Sequence, residues 1–271
     1  MRALVTGGHG FVGRHLVAHL AGQGDDCTSL DRSGPDPVDV TDADALSARI
    51  RAEAPEVVYH LAGWADVGSS WKHPVEAFRV NALGTLNVLL ACRDAGVRRC
   101  LVVGSADLYG VVSPDELPLR ETSPLRPTSP YAASKAAAED LAVQAHLGYG
   151  LETIRVRPFN HLGPGQSEAF VAPALAGRVA RAAQGGGSRI PVGDLTARRD
   201  FTDVRDVVRC YRLLAERGEP GDVYNVCSGV DRSVEELARE LVALSGTHVE
   251  LEVDPALVRP VDLPVLRGDP A

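Results

Sequence analysis

Residues 2–13, RALVTGGHGFVG, decide how this chain folds. Residues 2–6, RALVT, form a short apolar run of the kind that makes a strand buried on both faces. Residues 11–22, FVGRHLVAHLAG, place apolar side chains at spacings of three and four, the period of an amphipathic helix. Between the two lie Gly7, Gly10 and Gly13. Glycine there allows a tight turn and lets a pyrophosphate approach the amides of a helix N-terminus, those of Phe11 and Val12 included. The spacing is GxxGxxG rather than GxGxxG, and either pattern alone also serves ordinary turns. Set between a first strand and a first helix, with an acid closing the second strand, it points to dinucleotide binding.

Outward from this loop, strand-like and helix-like stretches alternate. Residues 27–31, CTSLD, read as the second strand, and 42–53 as a helix that Asp42 can cap. Residues 56–63 predict a third strand, 75–96 a long helix ended by Gly96, and 100–106 a fourth strand. A proline-rich loop over 114–130 leads to a helix at 131–147 and a strand at 151–158. Continuous apolar strands joined by helices imply a parallel sheet covered on both faces. The expected class is therefore α/β, a Rossmann-type doubly wound parallel sheet with ligands at the carboxyl ends of its strands. From about residue 159 the pattern shortens: a loop at HLGPGQ, a helix at 169–184, a GGGS turn and smaller elements. We read 1–158 as the NAD(P)-binding domain and 159–271 mainly as a substrate-binding lobe interleaved with it.

Composition narrows the function classes. The chain has 271 residues, 45% hydrophobic and 24% charged, which suits a globular protein with a substantial core. Its net charge is −8 and no basic stripe is visible, so nucleic acid is not an expected partner. No uninterrupted apolar run reaches the length of a bilayer span, and the N-terminus lacks a signal-peptide layout. Five scattered cysteines without a CxxC pair suggest buried thiols in a reducing cytoplasm. Eight scattered histidines without HExxH spacing predict no metal site.

Three residues carry the expected chemistry. Tyr131 and Lys135, in YAASK, are four apart and share one face of a helix. A nearby ammonium favours the phenolate, so Lys135 is expected to lower the Tyr131 pKa toward working pH. That pairing suits proton transfer at an alcohol or carbonyl oxygen. Lys72 and Lys135 are the only lysines among 28 basic residues, and arginine cannot supply the same compact, tunable ammonium. Ser105, in VVGSADLYG, is placed to hydrogen-bond the reacting oxygen. Asp31 ends the second strand, where a carboxylate accepts both adenosine ribose hydroxyls and repels a 2′-phosphate. The cofactor is therefore NAD(H), with NADP(H) as the alternative because Arg32 follows directly. Asp39 is placed either to meet the adenine amine or to cap a turn. His60 reads as a satisfied strand-end residue, and Trp64 and Trp71 as either sugar-pocket lining or core.

These stretches, together with HLAG, VNALGTLNVL, SPYAASKAAAE, RPFNHLGPGQ, RRDFTDVRDVV and YNVCSG, resemble the extended short-chain dehydrogenases/reductases that act on nucleotide sugars. The resemblance spans essentially the whole chain and is most specific to GDP-4-keto-6-deoxy-D-mannose reductases. It implies reduction of a C4 ketone to give GDP-D-rhamnose, with Tyr131 as proton donor, Lys135 on the nicotinamide ribose and Ser105 on the C4 oxygen. The alternatives are a 4-epimerase that retains NAD and a non-catalytic NAD(H)-sensing protein. The resemblance also assigns Val40, Leu61, Ala62, Gly63 and Pro158 to the cofactor. It assigns Asp107, Asn160, Arg199, Arg259 and Asp262 to a GDP-sugar, the arginines clamping its diphosphate. It further implies a homodimer built on the helices at 75–96 and 131–147. Two departures stand out. Ala106 and Asp107 replace the acid pair of the dehydratases, a poor fit to dehydration, and the family pattern continues for another helix beyond the position of Ala271.

Overall fold

The structure, a computed structural model, describes residues 1–185, 187–257 and 263–271. Its main body is a parallel sheet of β1 (Arg2–Thr6), β2 (Asp26–Leu30), β3 (Val57–His60), β4 (Arg99–Val103), β5 (Glu152–Pro158) and β9 (Val223–Val226), in the order β2-β1-β3-β4-β5-β9. Successive strand residues enter opposite cores. Leu4, Val58, Cys100 and Val102 face one layer, and Ala3, Val5, Val57, Tyr59 and Leu101 the other. This is why the strands read as unbroken apolar runs rather than alternating ones.

On the first face pack α2 (Ala43–Glu53), α5 (Gly84–Ala95) and α6 (Pro130–Tyr149); on the second, α1 (Phe11–Gly22) and α8 (Val204–Arg217). Asp42 and Gly96 cap their helices as expected, and Ser129 and Gly150 add two further caps. Asp42 accepts the Ala45 amide, Ser129 accepts the Ala132 amide ahead of Pro130, and Gly96 and Gly150 take left-handed conformations. The helix expected at 75–96 differs from a plain α-helix. After the short α3 (Val67–Ser70), α4 (Pro74–Phe78) runs through a π-helical segment, Arg79–Leu83, into α5, the Gly84 amide reaching back to the Arg79 carbonyl. The wide turn brings Asn81 to 1% exposure. By length and composition this helix, Pro74–Ala95, could cross a bilayer, but its Val88, Leu89 and Cys92 face is part of the core.

Strand order reverses between β1 and β3, so the crevice above their carboxyl ends is the switch point where ligands bind in such sheets. The glycine loop leaves β1 there, and residues 61–63 leave β3 there. Beyond β5 the chain builds a second body. β6 (Asn160–Leu162), β8 (Arg198–Asp203), β10 (Asp231–Ser233) and β12 (Val265–Leu266) form one small sheet; β7 (Arg189–Val192) and β11 (Glu250–Val253) form another. α7 (Val171–Ala183) and α9 (Val234–Ser245) close a separate core around Leu175, Val179, Ile190 and Val192. Between these elements, α8 and β9 return to the main sheet, so the two bodies are threaded through each other.

Candidate active site

The glycine loop is shaped by close approach. Gly7 has φ +72°, and a Cβ there would lie 2.7 Å from the Ala62 amide nitrogen. A Cβ on Gly13 would lie 2.7 Å from the Gly8 Cα, so the first turn of α1 sits directly on the loop. The amides of Gly7 and Gly8 donate to the Leu30 carbonyl at 2.7 and 3.3 Å, and that of Gly10 to Gly7 at 3.0 Å. No side chain caps α1, which leaves the amides of Phe11, Val12 and Gly13 to a ligand. An uncapped helix N-terminus above a side-chain-free cradle fits a pyrophosphate.

Asp31 stands at the edge of this cradle. Its carboxylate accepts the His9 amide at 3.1 Å and the Ser33 amide and hydroxyl at 3.1 and 2.9 Å; Arg32 beside it is exposed. Asp39 accepts both the amide and the hydroxyl of Thr41 at 2.8 Å, the turn-capping arrangement, and these bonds hold its carboxyl below the usual range. Val40 is buried against Gly84. Leu61 and Ala62 pass their amides to Thr6, each at 3.2 Å. A Cβ on Gly63 would lie 2.8 Å from Asn81 Oδ1 and 3.2 Å from Lys135 Nζ, which joins residues 61–63 to the helix of Tyr131 and Lys135. Pro158 is buried at the end of β5, beside Val226.

Ser105, Tyr131 and Lys135 come together, each 8% exposed. Ser105 caps a 3-10 turn, Ala106–Tyr109, its Oγ accepting the Asp107 amide at 3.1 Å. The Ser105 hydroxyl also faces the Tyr131 phenol and acts to lower its pKa. Lys135 Nζ donates to the Val103 carbonyl at 2.8 Å, and burial lowers its pKa to about 8. The expected depression of the Tyr131 pKa is not what the structure gives. Burial raises the phenol above its ordinary value, the Asp107 carboxylate adds to this, and the Ser105 hydroxyl only opposes it. Desolvation outweighs an ammonium that is turned toward a backbone carbonyl. The phenol is held in its neutral, proton-giving form.

A polar chain that the motifs did not reveal ties this trio to the glycine loop. His60, fully buried, bonds Thr6 through Nδ1 at 2.8 Å and Thr85 through Nε2 at 2.9 Å. Thr85 gives its own proton to the Asn81 carbonyl at 2.5 Å, so Nε2 carries the hydrogen and Nδ1 accepts from Thr6. Burial, with Lys135 nearby, lowers the His60 pKa to about 3. Asn81 then accepts the Trp64 amide at 2.7 Å and donates to Ser134 at 2.8 Å, and Ser134 donates to the Tyr131 carbonyl at 2.7 Å. An asparagine inside an apolar helix was the available signal for this role.

On the second body, Asn160 is half-buried on β6. Arg199 directs Nη1 to the carbonyls of Arg198 and Leu263 at 2.8 and 2.6 Å. Its neighbour Asp200, fully buried, accepts the amides of Ser228, Gly229 and Gly268, pinning β8 to two loops. Arg259 and Asp262 lie outside the described residues. His161 stacks on Phe11 with ring centroids 6.1 Å apart, and Trp64 donates Nε1 to the Asp66 carbonyl at 3.0 Å. Trp71 is 53% exposed and belongs to no core.

Comparison with known proteins agrees with this geometry. The profile of the NAD dependent epimerase/dehydratase family matches residues 3–227. GDP-6-deoxy-D-mannose reductase from Pseudomonas aeruginosa is 39% identical over 272 residues, covering 100% of this chain and 88% of that protein. A structure of RMD from Pseudomonas aeruginosa complexed with NADPH superposes with a TM-score of 0.91 at 37% identity, over 100% of this chain and 90% of that one. UDP-glucose 4-epimerase from Thermus thermophilus, complexed with NAD, gives 0.90 at 34% identity, over 100% and 91%.

Proposed function

The chain belongs to the NAD dependent epimerase/dehydratase family, and from that we propose that it reduces the C4 ketone of a nucleotide-linked 4-keto-6-deoxy sugar. The substrate we assign is GDP-4-keto-6-deoxy-D-mannose and the product GDP-D-rhamnose. The observation that carries this reading is the 39% identity, across the whole chain, to a GDP-6-deoxy-D-mannose reductase. The cofactor is NAD(P)H, held by the glycine cradle, Asp31, residues 61–63, Tyr131 and Lys135. When bound, its nicotinamide supplies a hydride to C4.

The chain's own residues supply the rest. Tyr131, kept neutral, gives its proton to the sugar O4 as negative charge develops there. Ser105 accepts from the Asp107 amide and so has its hydroxyl hydrogen to offer the same oxygen. Lys135 stabilises the phenolate left behind. Asp107, Asn160 and Arg199, with Arg259 and Asp262, are proposed to bind the nucleotide sugar. Asp107 with Ala106 does not supply the acid pair of a dehydratase, although dehydratases are among the relatives, such as the GDP-mannose 4,6-dehydratase of Vibrio cholerae at 30% identity. A 4-epimerase is the second reading, favoured by the 0.90 TM-score to UDP-glucose 4-epimerase. It would purify with NAD bound and turn over without added reductant.

We also propose a cytoplasmic homodimer. The five cysteines carry free thiols, which supports a reducing compartment. Phe78 and Leu83 are exposed on the helix at 74–95, and Ala133, Ala136 and Ala137 are half-exposed on α6, a surface that supports pairing with a second copy. Ala132 and Ala138, on the same helix, are buried within their own subunit.

The test is turnover of GDP-4-keto-6-deoxy-D-mannose with NADPH or NADH, followed by loss of reduced-nicotinamide absorbance. Tyr131→Phe should lower kcat by about 10²–10⁴ while cofactor affinity holds. Parental turnover in that variant removes Tyr131 from the mechanism.

A further inference from the structure

Tyr131, Lys135 and Glu139 are spaced by four on α6, so the catalytic face continues into a carboxylate below the site. Glu139 and Arg157 are each 4% exposed. The guanidinium grips Glu139 as a fork, Nη2 to Oε1 at 2.5 Å and Nε to Oε2 at 3.0 Å. Its remaining arm, Nη1, donates to the Tyr109 hydroxyl at 3.0 Å and to the Glu121 carbonyl at 2.9 Å. Tyr109 is fully buried and donates in turn to Asn225 Oδ1 at 2.7 Å. It is the last residue of the turn that Ser105 caps. Gly104 completes the contact. A Cβ there would lie 3.0 Å from the Val156 carbonyl and 3.5 Å from Glu139 Oε2, so the backbone entering Ser105 runs directly across the ion pair.

We propose that Arg157 is a positioning residue for the reaction: by holding Glu139 on the catalytic helix and Tyr109 in the serine turn, it sets the approach of Ser105 to Tyr131. The proposal rests on the reading of Tyr131 as proton donor. β5 carries the guanidinium, and β4, its neighbour, leads into the serine turn. The helix bearing Tyr131 and the turn bearing Ser105 are separate elements, joined elsewhere by the Lys135 bond to Val103. A single planar group with donors on two edges fixes both at once, and an ammonium cannot reproduce the fork. Proton transfer is sensitive to such placement, since a displacement of about 1 Å can cost about 10²-fold in rate.

Two variants of the full-length enzyme test this, beside Tyr131→Phe. Tyr109→Phe keeps the buried ring and the fork to Glu139 and removes the link to the serine turn. Arg157→Lys keeps the charge and loses the fork, while Arg155, 3.3 Å from Glu139, still neutralises the carboxylate. Expected are a kcat about tenfold lower for Tyr109→Phe and about 10²-fold lower for Arg157→Lys. KM for the nucleotide sugar and Kd for NADPH should stay within about twofold, with a larger solvent deuterium isotope effect on kcat as proton transfer becomes limiting. If Tyr131→Phe is impaired while Tyr109→Phe and Arg157→Lys turn over at the parental rate, the positioning role is overturned. It is also overturned if the losses track only the folded fraction, with kcat per folded enzyme and the isotope effect unchanged. If Arg157→Lys does not fold, Tyr109→Phe decides by the same criteria. A Tyr131→Phe variant with parental turnover defeats the underlying reading instead.

Discussion

His60 shows how much chemistry one buried side chain settles. Both ring nitrogens are bonded, and the direction of the Thr85 hydrogen bond fixes the tautomer, so the ring has no place for a second proton. Its pKa lies near 3 in the folded protein, below the ordinary 6.5, so the unfolded chain binds more protons between these values. Stability that His60 supports is therefore present above about pH 6.5 and is lost progressively as pH falls toward 3. Urea unfolding at pH 7.5 and pH 5 should show a loss of about 2 kcal/mol that His60→Gln lacks. An equal loss in both proteins would assign the acid sensitivity to other groups. Asp31 offers a second residue-scale test. Asp31→Ala should weaken NADH binding by about tenfold or more, the scale of a hydrogen bond to a charged group, and narrow the gap to NADPH. Calorimetry with both cofactors checks this, and unchanged affinities would leave Asp31 as no more than the cap of the His9–Ser33 turn.

At the scale of elements, the sequence announces ends better than it announces irregularities. Asp42 and Gly96 mark helix boundaries because capping is a local arrangement between one side chain, or one left-handed residue, and its own backbone. Asp42→Ala should lower stability by about 1 kcal/mol and leave kcat unchanged, since α2 packs on the outer layer of the sheet. Urea midpoints and initial rates measured on the same preparations check both halves of that statement. The π-helical segment gave no such signal. One extra residue in a single turn barely alters an apolar pattern of period 3.6, yet it rotates Asn81 into the polar chain that supports Tyr131. The helix of Tyr131 and Lys135 was legible as YAASK, but the fork between Glu139 and Arg157 was not, because residues on a helix and a later strand meet only after folding.

At the scale of the whole molecule, exposed Val75, Phe78 and Leu83 lie on one long helix beside the alanine face of α6. Light scattering at micromolar concentration should give twice the mass of the chain, and Leu83→Glu should shift it toward one chain mass. A single-chain mass for the parent protein would overturn the dimer. Legible along the chain alone were the α/β class, the glycine cradle, the acid after the second strand and the Ser105, Tyr131 and Lys135 set. Each is written in a local pattern: strand period, helix period, glycine at a tight turn, residues four apart. The protonation of the site, and the residues that hold it, emerged with folding. Lys135 was expected to pull the Tyr131 pKa down, but its ammonium is bonded to Val103 and burial dominates. The return of α8 and β9 to the main sheet, the burial of Asp200 and the span of Arg157 from helix to turn are likewise products of long-range packing. A sequence orders neighbours along the chain, whereas desolvation and charge pairing depend on neighbours in space.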